Sequence, residues 1–204
     1  MVRPMSDAWA LPMNRAGLLR TGVGSGAALL GLGVWTAPAA AAVPDVDLAY
    51  LRLLVATELL KADFATQAIA SRKLEKQAAG IVRRMHAADN RHYAGLAALM
   101  NDAGQPPASA GDIDFSYPRG SFTTARSTAA LGWKLTSLAL GAYLGALENI
   151  QTPSIRLPLG QIAANEAQQQ SALAPLVGRQ AIGSAFAAAL PIDVVSAALD
   201  EYES

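Results

Sequence analysis

Four long stretches of this chain space apolar residues three and four positions apart, and one long Gly- and Pro-rich connection separates the second stretch from the third. Residues three and four apart share one face of a helix, so each stretch presents an apolar stripe that a neighbour must cover. The first helix opens at Pro44-Asp45 and carries Leu48, Leu51, Leu54, Val55, Leu59 and Ala62 to about Ala70. Ser71-Arg72-Lys73-Leu74-Glu75 reads as a turn with a new N-cap. A second helix then runs from about Leu74 to Asn101 along Ala78, Ile81, Val82, Met85, Ala88, His92, Leu96 and Leu99, and Gly104 and Pro106-Pro107 end it. The third, about Thr123 to Asn149, is nearly all apolar or small and is expected to be the most buried. Thr152-Pro153 and Pro158 mark a connection to a fourth helix over about Leu159 to Leu173. Residues 175–190 are an alanine-rich extension with a helical turn or more, and Pro191 starts a short last helix ending near Tyr202.

Composition agrees with helices throughout. Hydrophobic residues make up 52%, alanine foremost, and aromatics only 6%. Alanine and leucine favour helix, and the strand-forming types are scarce. A loop as long as 103–121 is unusual in a compact domain unless it crosses the length of a bundle. The expected fold is therefore all-α: a four-helix bundle with a long crossover between helices 2 and 3 and a short C-terminal helix.

Several function classes drop out. Sixteen basic residues balance sixteen acidic ones, so there is no basic field for nucleic acid. The chain has no cysteine, which removes disulfides, thiolate metal sites and a cysteine nucleophile, as well as a lipoprotein anchor. The only histidines are His86 and His92, both mid-helix, so a three-histidine metal site cannot form within one chain and no Ser-His-Asp arrangement is readable.

The N-terminus reads as an address. Asn14-Arg15-Ala16-Gly17-Leu18-Leu19-Arg20 precedes an apolar run from Thr21 to Trp35, and small residues lead to Ala42. This is the order of a secretory signal peptide. The run is too short and glycine-rich to span a bilayer comfortably. The segment resembles a twin-arginine signal, with Ala16 where the second arginine belongs. The expectation is a signal peptide over 1–42, exported by that route or the general secretory one, and a helical domain over 43–204 in the periplasm, extracellular space or cell envelope, with no stable transmembrane segment. That domain carries thirteen basic and fifteen acidic residues.

The candidate chemistry lies in two pairs. Asp89 and His92 on the second helix, and Glu166 and Gln169 on the fourth, stand at i and i+3, which puts each pair on one helix face. Dinuclear metal sites in bundles use a carboxylate and a histidine at that spacing on two helices and a carboxylate from each of the other two. Glu58, mid-way along the first helix, can supply one of these. Lys61 and Asp63 are placed on the solvated face.

Three segments carry a resemblance. Thr57-Glu58-Leu59-Leu60-Lys61-Ala62-Asp63-Phe64, Gly141-Ala142-Tyr143-Leu144-Gly145-Ala146, and the run from Ala163 through Glu166 and Gln169 to Leu173 resemble the bacterial ferritin-like domain family related to desiccation-related proteins. So does the closing Pro191-Ile192-Asp193-Val194-Val195. The resemblance covers roughly residues 44–204 and implies a ferritin-like bundle with an iron or manganese site. The departures from it are chemical. The family pattern has glutamate at Asp89, histidine at Gln169, and a third-helix glutamate where this chain has Thr136. An amide oxygen is a much weaker ligand than imidazole, and a threonine hydroxyl is a poor substitute for carboxylate. The metal set implied is Glu58, Asp89, His92 and Glu166, two ligands short of a symmetric dinuclear site. Absence of any metal is an equally open reading. No catalytic residue is assigned.

Without metal, His92 is expected to bond Glu58 or Glu166, and Gln169 to donate to a carboxylate, because buried carboxylates need partners or protonate. His86 is expected at the surface or just behind the site, and Glu148 facing solvent or capping. Tyr143 reads as a core tyrosine or one beside a metal. Gly132, Gly141 and Gly145 suggest close helix packing. Three functions remain: a ferritin-like metalloprotein (a di-metal oxidoreductase or ferroxidase) acting on iron or reactive oxygen; a bundle that has lost its metal and serves in stress tolerance or the envelope; and an envelope interaction module. The last predicts an exposed apolar patch at Phe115, Tyr117 and Phe122. A homo-oligomer or an envelope protein is the partner class these readings allow.

Overall fold

The computed structural model describes residues 42–204. The expected signal peptide therefore lies almost wholly outside the described residues. Four long helices form the bundle: α1 (Asp45–Ala70), α2 (Lys76–Asp102), α3 (Ala125–Asn149) and α4 (Pro153–Leu173). A 3₁₀ turn (Ala174–Val177) follows α4, and a short α5 (Ile192–Asp200) closes the chain. Among the described residues there are no strands, only an isolated bridge between Phe115 and Glu203. None of these helices is long and apolar enough to cross a membrane.

α1 pairs with α2 and α3 with α4. The crossover sets α3 beside α1 and α4 beside α2, so all four helices share one core. Leu51, Leu54, Leu60, Leu96, Leu135, Tyr143 and Leu159 are fully or almost fully buried there. α3 is rich in buried positions but, contrary to expectation, is not the most buried helix, because α1 buries as large a share of its residues.

Local chemistry sets the boundaries. α2 begins two residues later than expected, because Arg72 takes a left-handed conformation (φ 57°) that breaks the chain direction after α1. α3 begins with a capping box in which the Thr124 side chain accepts from the Ser127 N–H, and the Ser127 hydroxyl accepts from the Thr124 N–H. α4 starts six residues earlier than expected. Pro153 occupies its first turn, where a missing N–H costs nothing, and Pro158 is taken inside the helix. The carbonyl left without a partner by Pro158 belongs to the exposed Ser154, where water can reach it.

Asp47 is fully buried and accepts the Gln151 and Thr152 N–H groups, both at 2.8 Å, which fixes the α3–α4 turn to the start of α1. Burial raises its pKa, but these bonds and Arg156 outweigh that and leave it below the usual carboxylate range. Asp47→Ala removes two charge-assisted bonds and strands two donors. It should cost about 2–3 kcal/mol in urea unfolding; a loss under about 0.5 kcal/mol would show that the turn holds without Asp47.

The 103–124 crossover packs down rather than offering an apolar patch. The Phe122 ring stacks on Phe64 at 5.9 Å, and Tyr117 meets Phe122 edge-on at 5.2 Å. The Tyr117 hydroxyl donates to Asp63 Oδ2 at 2.8 Å. Phe115, Tyr117 and Phe122 are thus part of the core margin. This corrects the expectation of an exposed surface there, and Asp63 is a half-buried anchor for the loop rather than a solvated residue.

Candidate metal centre

The middle of the bundle holds a cluster of charge that the helix pattern alone would reserve for apolar groups. Glu58 from α1, Asp89 from α2 and Glu166 from α4 are all buried, and His92 lies beside them at 11% exposure. Each offers one potential ligand atom, and these atoms lie within 4.8 Å of one another. All four expected residues therefore converge. The i, i+3 spacing on α2 does what it was expected to do, and Glu58 projects from α1 at the same level.

Lys61 is buried in the cluster rather than on the solvated face where the sequence pattern places it. It is 2% exposed, and its ammonium sits among the carboxylates. Nζ donates to Glu166 Oε2 at 2.5 Å and to Asp89 Oδ1 at 2.9 Å, and lies 3.8 Å from Glu58 Oε2. The signal was available: Lys61 stands three residues after Glu58, so a face that carries one carries the other. A lysine is almost never fully buried without partners, and here it has three.

Gln169 and Tyr143 add hydrogen bonds to the cluster, while Glu58 Oε2, Asp89 Oδ2, His92 Nδ1 and Gln169 Oε1 are buried without a hydrogen-bond partner. Gln169, as expected, donates its amide N–H groups, to Asp89 at 3.0 Å and Glu166 at 3.3 Å, with Asn165 also at 3.0 Å. The Tyr143 hydroxyl donates to Glu58 Oε1 at 2.6 Å, so this tyrosine is a working member of the cluster rather than inert core. His92 Nδ1 faces Glu166 Oε1 at 3.3 Å and Glu58 Oε1 at 3.5 Å. Thr136 on α3 is buried with its hydroxyl unpartnered. His86 lies away from the cluster beside Thr66, and Glu148 is exposed.

The electrostatics follow from that geometry. Burial disfavours the Lys61 charge, but three carboxylates overcome it and hold the ammonium protonated above its ordinary range. Burial would lower His92, yet Glu166 and Glu58 raise it to about 9. Burial raises the Glu58 and Asp89 carboxyls. Glu166 feels the same burial, but Lys61 and His92 hold it below the usual range. Three carboxylates thus face two internal cations, and the Tyr143 hydroxyl and Gln169 amide supply further donors.

This donor set does not fit a two-metal centre. The ammonium of Lys61 stands within contact of three of the four ligand groups, where a second divalent cation would be repelled. On α3 the position expected to give a carboxylate is Thr136, and on α4 the position expected to give an imidazole donates N–H groups instead. Glu58, Asp89, His92 and Glu166 remain a set for a single ion, provided that it displaces the proton from His92.

His92 also gives a pH signature. Its folded pKa of about 9 lies above the unfolded value of 6.5, so its contribution is complete below pH 6.5 and is lost as pH rises through about 9. With chelator present, the stability gap between wild type and His92→Gln should narrow across that window in urea melts. A constant gap would show that His92 is neutral throughout.

A ferritin-like domain model matches residues 46–179, well over half of the chain. The chain belongs to the ferritin-like domain family. No curated protein matches it.

Proposed function

We propose that this chain is an exported ferritin-like protein of the cell envelope that has kept the bundle of its family and given up two-metal redox chemistry. The observation that carries the reading is Lys61: its ammonium supplies, from within the chain, positive charge that a ferritin-like carboxylate cluster otherwise takes from metal. Gln169 and Thr136 point the same way, since each replaces a ligand with a group that cannot hold iron well. The role left to such a protein is binding or support in the envelope, including stress tolerance, rather than turnover. The sequence Arg15 to Ala42 supports export, with a mature start near Val43.

Two experiments test this reading. Oxygen uptake with ferrous iron should proceed no faster with the protein than with buffer; acceleration lost in His92→Ala would restore the oxidase reading. Intact-mass analysis of the envelope fraction should give a chain starting near Val43. A full-length chain in the cytosol would remove the export part alone.

A further inference from the structure

Residues 178–190 leave the 3₁₀ turn and run as an irregular strap over the outer face of α3 and α4 towards α5. Both ends are anchored. At the first, Gly178 takes a left-handed conformation (φ 75°), and the Arg179 guanidinium lies over the Trp133 ring, 4.1 Å from its centroid. At the second, the Leu190 N–H donates to the Gly141 carbonyl at 2.9 Å. Leu190 lies so close to α3 that a Cβ on Gly141 or Gly145 would collide with it. The glycines expected to mark close packing therefore receive the strap at these two positions.

Between its anchors the strap stands off the helices and bounds a cavity of about 1070 Å³. Leu138 and Ala167 line the helix side, and Ile182 and Phe186 line the strap side. Those last two are 88% and 89% exposed, large apolar side chains with no seat of their own in the protein. The polar part of the lining is unequal in sign. No aspartate or glutamate lines the cavity, whereas Lys134 and Arg179 do. Lys134 has Glu201 at 3.3 Å, but the Arg179 guanidinium makes no hydrogen bond or ion pair among the described residues. A half-open cleft with mainly apolar walls, some polar lining from Ser137, Gln170 and Ser171, and at its edge the Arg179 guanidinium, stacked on Trp133 but facing no anion, matches a ligand with a long apolar body and a single anionic end.

We propose that this cavity binds a free long-chain carboxylate, a single-chain anionic amphiphile. Its chain lies between Leu138, Ala167 and the strap residues Ile182 and Phe186, and its carboxylate meets Arg179. The proposal uses none of the residues of the charged cluster, so it stands or falls separately from the absence of redox chemistry. It gives the scaffold a cargo that an envelope protein would meet.

The test is a titration of the purified full chain with cis-parinarate, a fatty acid whose fluorescence rises when it leaves water, followed by displacement with palmitate and with hexadecanol. Saturable binding of one probe per chain is expected, displaced by palmitate at least about tenfold more effectively than by the alcohol, the scale of one charge-assisted contact. Arg179→Gln should erase that preference. Ala167→Trp should obstruct the floor of the cleft where the chain is placed and weaken binding, and Ile182→Asp with Phe186→Asp should abolish it from the exposed strap, where folding is not at risk. Circular dichroism confirms that each variant is folded. Absence of saturable binding, or binding unchanged in both the Ala167 and the strap variants, overturns the proposal. So does association only with vesicles of anionic phospholipid, which would make the strap a membrane contact. A change of oligomeric mass in the strap variants without any probe binding would make it a contact between copies.

Discussion

Lys61→Met should lower the stability of the protein by about 3–5 kcal/mol at neutral pH, the usual result of removing one partner from a buried ionic group. Methionine fills most of the space but leaves Glu58, Asp89 and Glu166 facing one another at 0–1% exposure, with His92 as the remaining cation. The pH dependence should change with it. In wild type Lys61 lowers all three carboxyls. Without it, burial and mutual repulsion raise Glu58 and Asp89 further and lift Glu166 above its unfolded value. Groups whose folded pKa is raised bind more protons in the folded state, so the variant should regain stability as pH falls towards the ordinary carboxylate range. Urea melts at several pH values read both effects. A loss below about 1 kcal/mol with no change in pH profile would mean that water reaches the cluster and that Lys61 is not its counter-ion.

Phe64→Ala should be of similar size, about 3–5 kcal/mol. Phe64 is 2% exposed and fills the space that Gly132 leaves open, where a Cβ would come within 2.8 Å of its ring. It also stacks on Phe122, and Phe122 meets Tyr117. The cavity left by alanine therefore undermines the crossover as well as the α1–α3 contact. Limited proteolysis should cut within 103–124 in the variant under conditions that spare wild type. An undisturbed loop together with a small stability loss would show that the Tyr117–Asp63 bond holds the crossover by itself.

The two variants mark what the sequence conveyed and what it did not. Helix positions and the crossover were legible because they rest on periodicity and on Gly104 and Pro106-Pro107, which are local signals. The meeting of Glu58, Asp89, His92 and Glu166 was legible because i, i+3 spacing fixes a face, and the donation by Gln169 followed from the needs of buried carboxylate. Lys61 was not, since a lysine on an amphipathic helix is ordinarily solvated, and only the presence of three carboxylates from three helices makes its burial tolerable. Phe115, Tyr117 and Phe122 sit in a loop with no period, so their packing onto Phe64 depended on where the crossover lies in space. The early start of α4 broke a local rule: Pro158 would normally end or delay a helix, and an exposed first turn absorbed the loss.

In the proposed reading Lys61 stands in the place of metal charge. Metal content per chain, by elemental analysis after anaerobic loading with ferrous or manganous ion and removal of free ion, tests it most directly. One ion at most is expected, held weakly enough to be lost to mild chelation. Two ions per chain, retained through the chelator and lost in His92→Ala, would contradict it, because no arrangement with the Lys61 ammonium 2.5–3.8 Å from three carboxylates leaves room for that charge.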